Sequence, residues 1–209
     1  MFLHRPAPAH FVMRFDRIEE PTGLPVSVPD MHLHLRIDDD DTSQDSLIEG
    51  WITAAVEFAE EYTGRSLITQ TWRGTADAFP ACGERQEIYL KHGRVTSIEQ
   101  ITYLATDGTT ATLDPSLYVM DSSRSEWRLA PAYGASWPIT RCQLGAVQVD
   151  YIAGYGDAEA VPKGIATWLQ VRVATLYEHR KEVEIVPRGK LEPLPFIDSM
   201  LDSYKVWSV

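Results

Sequence analysis

The stretch TSQDSLIEGWITAAVEFAEEYTG, residues 42–64, decides the fold. Leu47, Ile48, Trp51, Ile52, Ala55, Phe58, Ala59 and Tyr62 recur at three- and four-residue intervals, so a helix winds them onto one face. Glu49, Glu57, Glu60 and Glu61 fall largely outside that stripe. Thr42 followed by Asp45 has the spacing of a capping box with Asp in place of Glu, and Gly64 supplies a C-terminal stop. The spacing predicts a helix from Ser43 to Thr63 of about 31 Å. A stripe of that length needs an apolar partner.

The best partner lies far along the chain. Pro162 is a favoured first-turn residue, and Ile165, Trp168, Leu169, Val173, Leu176 and Tyr177 continue a helical stripe to about Glu182. A shorter helix is predicted from the Ser27/Asp30 capping pair through Leu33 and Leu35. Pro187, Gly189, Pro193 and Pro195 mark Val183–Pro195 as a connecting loop, and Phe196, Met200, Leu201 and Tyr204 predict a last short helix before Trp207. Between the long helices the pattern changes to short β-rich runs at 69–76, 86–90, 95–104, 110–113, 118–121, 127–129 and 146–152. Asp107-Gly108 is a hairpin turn signal between two of them. In the last run Val147, Val149 and Tyr151 alternate with Gln148 and Asp150, which places the first set on a core and the second in water. The fold class is therefore α+β: a small helical bundle from N- and C-terminal helices with an inserted antiparallel β region. The expected division is an N-terminal arm at 1–24, a helical core from 25–66 and 160–209, and a β region at 67–159.

Composition narrows the function. The chain has 209 residues, 44% hydrophobic and 23% charged, close to an ordinary globular domain rather than a disordered or fibrous chain. Thirty acids against 19 cationic residues leave a net charge of −11, which repels phosphate and argues against general nucleic-acid binding. Prolines and charges break up the first 25 residues, so no signal peptide is expected, and no apolar run of about 18 residues spans a bilayer. Cys82 and Cys142 show no Cys-x-x-Cys or Cys/His clustering and read as structural thiols.

The candidate chemistry dissolves on inspection. Asp38 to Asp41 suggest calcium, but no glycine falls at the sixth position of a calcium loop, and acids ahead of a helix already oppose its dipole favourably. His32 and His34 are two apart on a helix and cannot form an i, i+4 metal pair. His92 reads as a turn residue and His179 as a cation at a helix C-terminus. Gly154-Tyr155-Gly156 lacks the third glycine of a dinucleotide fingerprint, with Glu159 in its place, so it reads as a structural turn. Gly134-Ala135-Ser136-Trp137-Pro138 ends in proline where a nucleophile elbow needs glycine. No catalytic residue, metal ligand or cofactor is expected. A hydrolase of unrecognised type and a generic protein-binding module stay open as alternatives.

Five segments in order resemble the head-tail connector, or adaptor, proteins of long-tailed bacteriophages and of phage-derived particles such as gene transfer agents. They are Pro25-Val26-Ser27 leading to His34-Leu35-Arg36-Ile37-Asp38; Glu61-Tyr62-Thr63-Gly64-Arg65 with Leu67-Ile68-Thr69-Gln70-Thr71-Trp72; Asp114-Pro115-Ser116-Leu117-Tyr118; Gly134-Ala135-Ser136-Trp137-Pro138; and Ala153-Gly154-Tyr155-Gly156-Asp157 before Val161-Pro162. The resemblance runs from Pro25 to Trp207 and leaves residues 1–24 outside it. It implies a ring of twelve copies under a portal protein, continuing the DNA channel toward a tail-side stopper or terminator, in a virion or phage-like particle. It implies no catalysis. An acidic subunit fits a conduit that must not grip its cargo, and Asp38, Asp39, Asp40 and Asp41 are candidates either for the channel face or for a solvated outer face. Phe196, Met200, Tyr204 and Trp207 are candidates for docking on the portal or a neighbouring copy, or for packing on the two long helices.

Overall fold

The computed structural model describes residues 11–38, 40–80, 86–122, 127–179 and 195–206, with the side chains of 195–198 excepted. The chain is α+β, and its described residues fall into two compact units, one within 21–70, 92–94 and 153–206, the other within 11–20, 71–91 and 95–152.

The first unit is helical. Helix α1 (Val28–Leu35) starts as its sequence demands: the Ser27 hydroxyl accepts from the Asp30 N–H and the Asp30 carboxylate accepts from the Ser27 N–H, each at 3.2 Å. It ends at Arg36, left-handed at φ 59°, whose N–H donates to the His32 carbonyl. Helix α2 (Asp45–Thr63) closes at Gly64, φ 69°, where glycine alone adopts that backbone without strain. Helix α3 (Lys163–Glu178) follows Pro162, and α4 (Pro195–Asp202) ends the unit. Ile48, Ile52, Ala55 and Ala59 of α2 share one buried cluster with Met31 of α1, Ile165, Trp168, Leu169 and Val173 of α3, and Leu201 of α4. Each large aliphatic side chain removed from water there contributes about 1.5–3 kcal/mol.

The buried stripe of α2 is narrower than its hydrophobic pattern. Leu47 and Phe58, expected in the core, are 44% and 42% exposed, and Thr63 is buried instead, its hydroxyl donating to the Ala59 carbonyl. The expected Thr42/Asp45 cap is also absent: α2 begins after Gln44 with no side-chain cap, because Asp45 is drawn to His32. The proline-rich loop expected at 183–195 lies outside the described residues, Pro195 apart.

The second unit holds two sheets. A five-stranded sheet has the order β1-β2-β8-β4-β5, from β1 (Arg14–Glu19), β2 (Gln70–Ala76), β4 (Val95–Leu104), β5 (Thr110–Thr112) and β8 (Val147–Ala153). A three-stranded sheet has the order β3-β7-β6, from β3 (Ile88–Leu90), β6 (Tyr118–Asp121) and β7 (Trp127–Pro131). The β1–β2, β3–β7, β4–β5 and β6–β7 pairs are antiparallel. Asp107-Gly108 turns β4 into β5 as expected, with Gly108 at φ 91° and the Asp107 carboxylate accepting from the Thr109 N–H and hydroxyl.

Two findings go past the sequence reading. Part of the N-terminal segment is a strand, β1, paired with β2 so that Phe15 faces Gly74. A Cβ on Gly74 would fall 2.5 Å from the Met13 sulfur, so the side chains around β1 rest where glycine leaves room. Second, Val147, Val149 and Tyr151 are fully buried as expected, but Asp150 is not in water: it is 3% exposed. Its two oxygens accept from Arg73 Nε and Nη2 at 2.7 and 2.8 Å, and Gln100 Nε2 donates at 3.0 Å. Burial pushes the Asp150 carboxyl up, but these donors more than reverse it and hold it below the usual carboxylate range.

Candidate assembly surfaces

The acidic run sits in the short connection from α1 to α2. Asp38, Asp40 and Asp41 are exposed; Asp39 lies outside the described residues. Asp41 accepts from the Ser43 N–H at 3.1 Å, and hydrogen bonds from the Ser43 hydroxyl and amide hold its carboxyl below its ordinary value. Next to the run, buried His32 places Nε2 2.7 Å from an Asp45 carboxylate oxygen and ties the two helices together. Sequence reading assigned Asp45 to a local cap and missed this partner 13 residues away.

Charge is not spread evenly. Residues 28–63 hold ten of the 30 acids and one of the 19 cationic residues, a net −9 of the chain's −11. Some of those acids are engaged inside the unit: Asp30 in its capping box, Asp45 on His32, and Glu60 accepting from the Leu67 N–H and Gln70 Nε2. Asp38, Asp40, Asp41, Glu49, Glu57 and Glu61 face solvent.

The C-terminal helix is the second candidate surface. Leu201 is fully buried, and Met200 and Tyr204 are half-buried against the same cluster. Polar contacts hold the segment as well: the Tyr62 hydroxyl donates to Asp202 at 2.6 Å, Arg65 Nε donates to the Tyr204 carbonyl at 2.6 Å, and the Val206 N–H donates to the Thr63 carbonyl at 2.8 Å. The Lys205 ammonium lies 4.4 Å from the centre of the Tyr62 ring, an attractive cation–π distance. Phe58, Glu61, Tyr62 and Lys205 line a shallow groove of about 380 Å³ beside it. Met200 and Tyr204, two of the four predicted docking residues, thus pack on the helical core; the Phe196 side chain and Trp207 lie outside the described residues.

The motifs set aside as structural have structural positions. Gly154 (φ 138°) and Gly156 (φ 132°) form a turn in which the Tyr155 N–H donates to the Leu67 carbonyl, and Asp157 caps the short 3-10 turn Ala158–Ala160. Cys142, read from sequence as a structural thiol, is free and exposed. Among the described residues no group of three or more His, Cys, Asp or Glu side chains is placed to hold a metal ion, and no helix is long and apolar enough to cross a membrane.

The described residues thus form a mixed helical and antiparallel fold whose candidate surfaces are an acidic turn and a packed terminal helix. The family model of phage gp6-like head-tail connector proteins matches residues 26–105, which bears out over that stretch the connector resemblance read from the sequence. Solved structures share the fold over nearly the whole chain. A chain from the neck of an empty gene transfer agent particle, treated with C6 symmetry, is 21% identical with a TM-score of 0.74, covering 94% of this chain and 97% of that one. A chain from the virion of a native gene transfer agent particle is 19% identical with a TM-score of 0.73, covering 93% and 96%. A chain from the neck of a native particle, treated with C12 symmetry, is 19% identical with a TM-score of 0.71, covering 94% and 97%. No curated protein sequence matches the chain.

Proposed function

We propose that this protein is the structural subunit of a head-tail connector: copies form a ring of twelve under a portal protein and continue the DNA channel toward a tail-side stopper or terminator. The family match over residues 26–105 carries this reading, and the likeness in fold to chains of particle necks supports it. The place of action is the head-tail junction of a virion or phage-like particle, reached after assembly in the host cytoplasm. The role is mechanical, without catalysis or cofactor.

In this reading the bundle of N- and C-terminal helices is the body of the ring subunit, with the β region inserted into it. Asp38 to Asp41 face the channel. Their carboxylates repel the DNA backbone at short range, while salt screens the field beyond about 8–10 Å, so DNA passes without specific binding. Phe196, Met200, Tyr204 and Trp207 belong to the segment that meets the portal or a neighbouring copy. Negative-stain imaging of the purified chain with and without its cognate portal tests the reading: twelvefold rings seated on the portal are expected. Tight binding of duplex DNA at about 0.15 M salt would overturn it, as would turnover of a substrate.

A further inference from the structure

The loop between β7 and β8, residues 132–146, runs fifteen residues without regular structure. Connections of that length within a compact unit are usually functional. This one is firmly anchored. Trp137 is buried, its indole N–H donates to the Gln86 carbonyl at 2.9 Å, and its ring stacks on Phe79 at 5.0 Å and 2°. Thr140 bridges Ala105, and the Arg141 N–H donates to the Leu104 carbonyl at 3.0 Å. Yet Tyr133, Leu144 and Ile139 are the three most exposed large apolar side chains among the described residues, at 109%, 84% and 83%. Apolar groups held out into water on an anchored loop contribute little to folding, and three of them within twelve residues make the loop a candidate contact surface.

Charge selects the occupant. The loop carries Arg141 and no acid, in a chain of net charge −11. Among the described residues the next most exposed large apolar side chain is Leu33 of α1, at 81%; it adjoins the His32–Asp45 pair in sequence, with half-exposed Leu47 two residues past Asp45 and exposed Glu49 beyond. A second copy of this chain therefore offers the apolar and acidic complement to the loop. We propose that residues 132–146 of one copy dock on the α1–α2 surface of the next, with Tyr133, Ile139 and Leu144 meeting Leu33 and Leu47, and Arg141 meeting the acidic surface around them. Such a contact uses a different surface on each partner, as cyclic rings larger than dimers require. The inference rests on the ring reading above and names the contact that builds the ring.

Disulfide trapping in the full chain tests it. Ser46→Cys in a Cys82→Ser background puts one thiol on the α2 surface, with native Cys142 on the loop. Mild oxidation is expected to give a ladder of linked multimers beyond dimers, at least about tenfold more than Thr112→Cys, placed on β5, gives. The ladder is expected to disappear with Cys142→Ser. It is also expected to disappear with Ile139→Asp and Leu144→Asp together, which leave the melting temperature unchanged because both side chains are exposed. A yield no greater than the Thr112→Cys control, in a protein whose wild type forms rings by negative stain, overturns the contact and leaves the ring reading standing. Wild type that forms no ring even with its portal overturns both.

Discussion

Replacing Gly154 by alanine tests whether the Gly154-Tyr155-Gly156 turn exists for packing rather than for holding a ligand. Gly154 sits at φ 138°, and a Cβ built there would lie 2.6 Å from the Ile68 oxygen and 2.7 Å from both the Ile68 carbonyl carbon and the Thr69 nitrogen. All three are backbone atoms. They are fixed by hydrogen bonds from the Tyr155 N–H to the Leu67 carbonyl at 3.1 Å and from the Thr69 N–H to the Gly156 carbonyl at 2.9 Å, so they cannot turn aside as a side chain would. Forcing an L-residue into that backbone region costs about 1–3 kcal/mol, and relieving the overlap costs a further ~1–3 kcal/mol, for a loss of about 4 kcal/mol. The control is Gly50, an exposed position in α2 of the same unit where an added Cβ meets nothing within 4 Å. Alanine there stabilises by about 0.5–1 kcal/mol, because glycine is the poorer helix former. In urea melts with a slope near 2 kcal/mol/M, followed by far-UV circular dichroism, the two variants are expected to differ in midpoint by about 2.4 M, with wild type between them. A Gly154→Ala midpoint within about 0.3 M of wild type would refute the steric argument and reopen a ligand-binding role for the turn.

Three further substitutions test the buried ion pair and set the core against an exposed position. Asp150→Asn is expected to cost about 1–2 kcal/mol at neutral pH, less than a fully enclosed pair because Arg73 is about one-third exposed. The folded-state carboxyl lies below its unfolded value of about 3.9, so its contribution is present above that pH and is lost as pH falls through the folded value. The wild-type advantage in melting temperature is expected to be full near neutral pH and to shrink as acid takes the pH below about 3.9 and through the folded value, and an advantage that does not shrink with acid defeats the assignment. Leu201→Ala, at a fully buried position of α4, is expected to cost about 2–4 kcal/mol in urea melts, whereas Leu33→Ala, at an exposed position of α1, stays within about 0.5 kcal/mol. Equal stability of the two variants would mean that α4 is not part of the helical core.

Elements whose signals are local were legible in the sequence. Ser27, Gly64 and Pro162 mark helix ends by backbone chemistry that needs no distant partner, and α1, α2 and α3 begin or end where they stand. Strands β4 and β6 run over the residues their pattern predicts. Signals that depend on a distant partner were misread. Asp45 looked like a cap until His32 reached it, and alternation placed Asp150 on the far face of β8 but could not say that Arg73 and Gln100 cover that face. Strand β1 escaped notice because an edge strand is half solvated, and RFDRIE has too little apolar content to show a period. The candidate surfaces were least legible, since a contact surface has no periodicity. Tyr133, Ile139 and Leu144 carry no sequence signal of their own, and their fixed exposure becomes visible only once Trp137 and Thr140 are seen to anchor the loop.

The uneven charge bears directly on the proposed assembly. Twelve copies that each carry −11 repel one another, and most of that charge belongs to the α1–α2 segment. Screening confines the repulsion to about 8–10 Å in physiological salt, so copies approach freely and meet resistance only where acidic faces would touch. A ring can therefore close only through a contact that keeps those faces apart or sets one of them against a surface lacking acids. The 132–146 loop is such a surface: it is apolar, anchored and without a carboxylate. The acids left outside the contact then remain free to repel DNA phosphates. Under the proposed function one charge distribution disfavours the wrong subunit pairing and also denies the genome a place to stick.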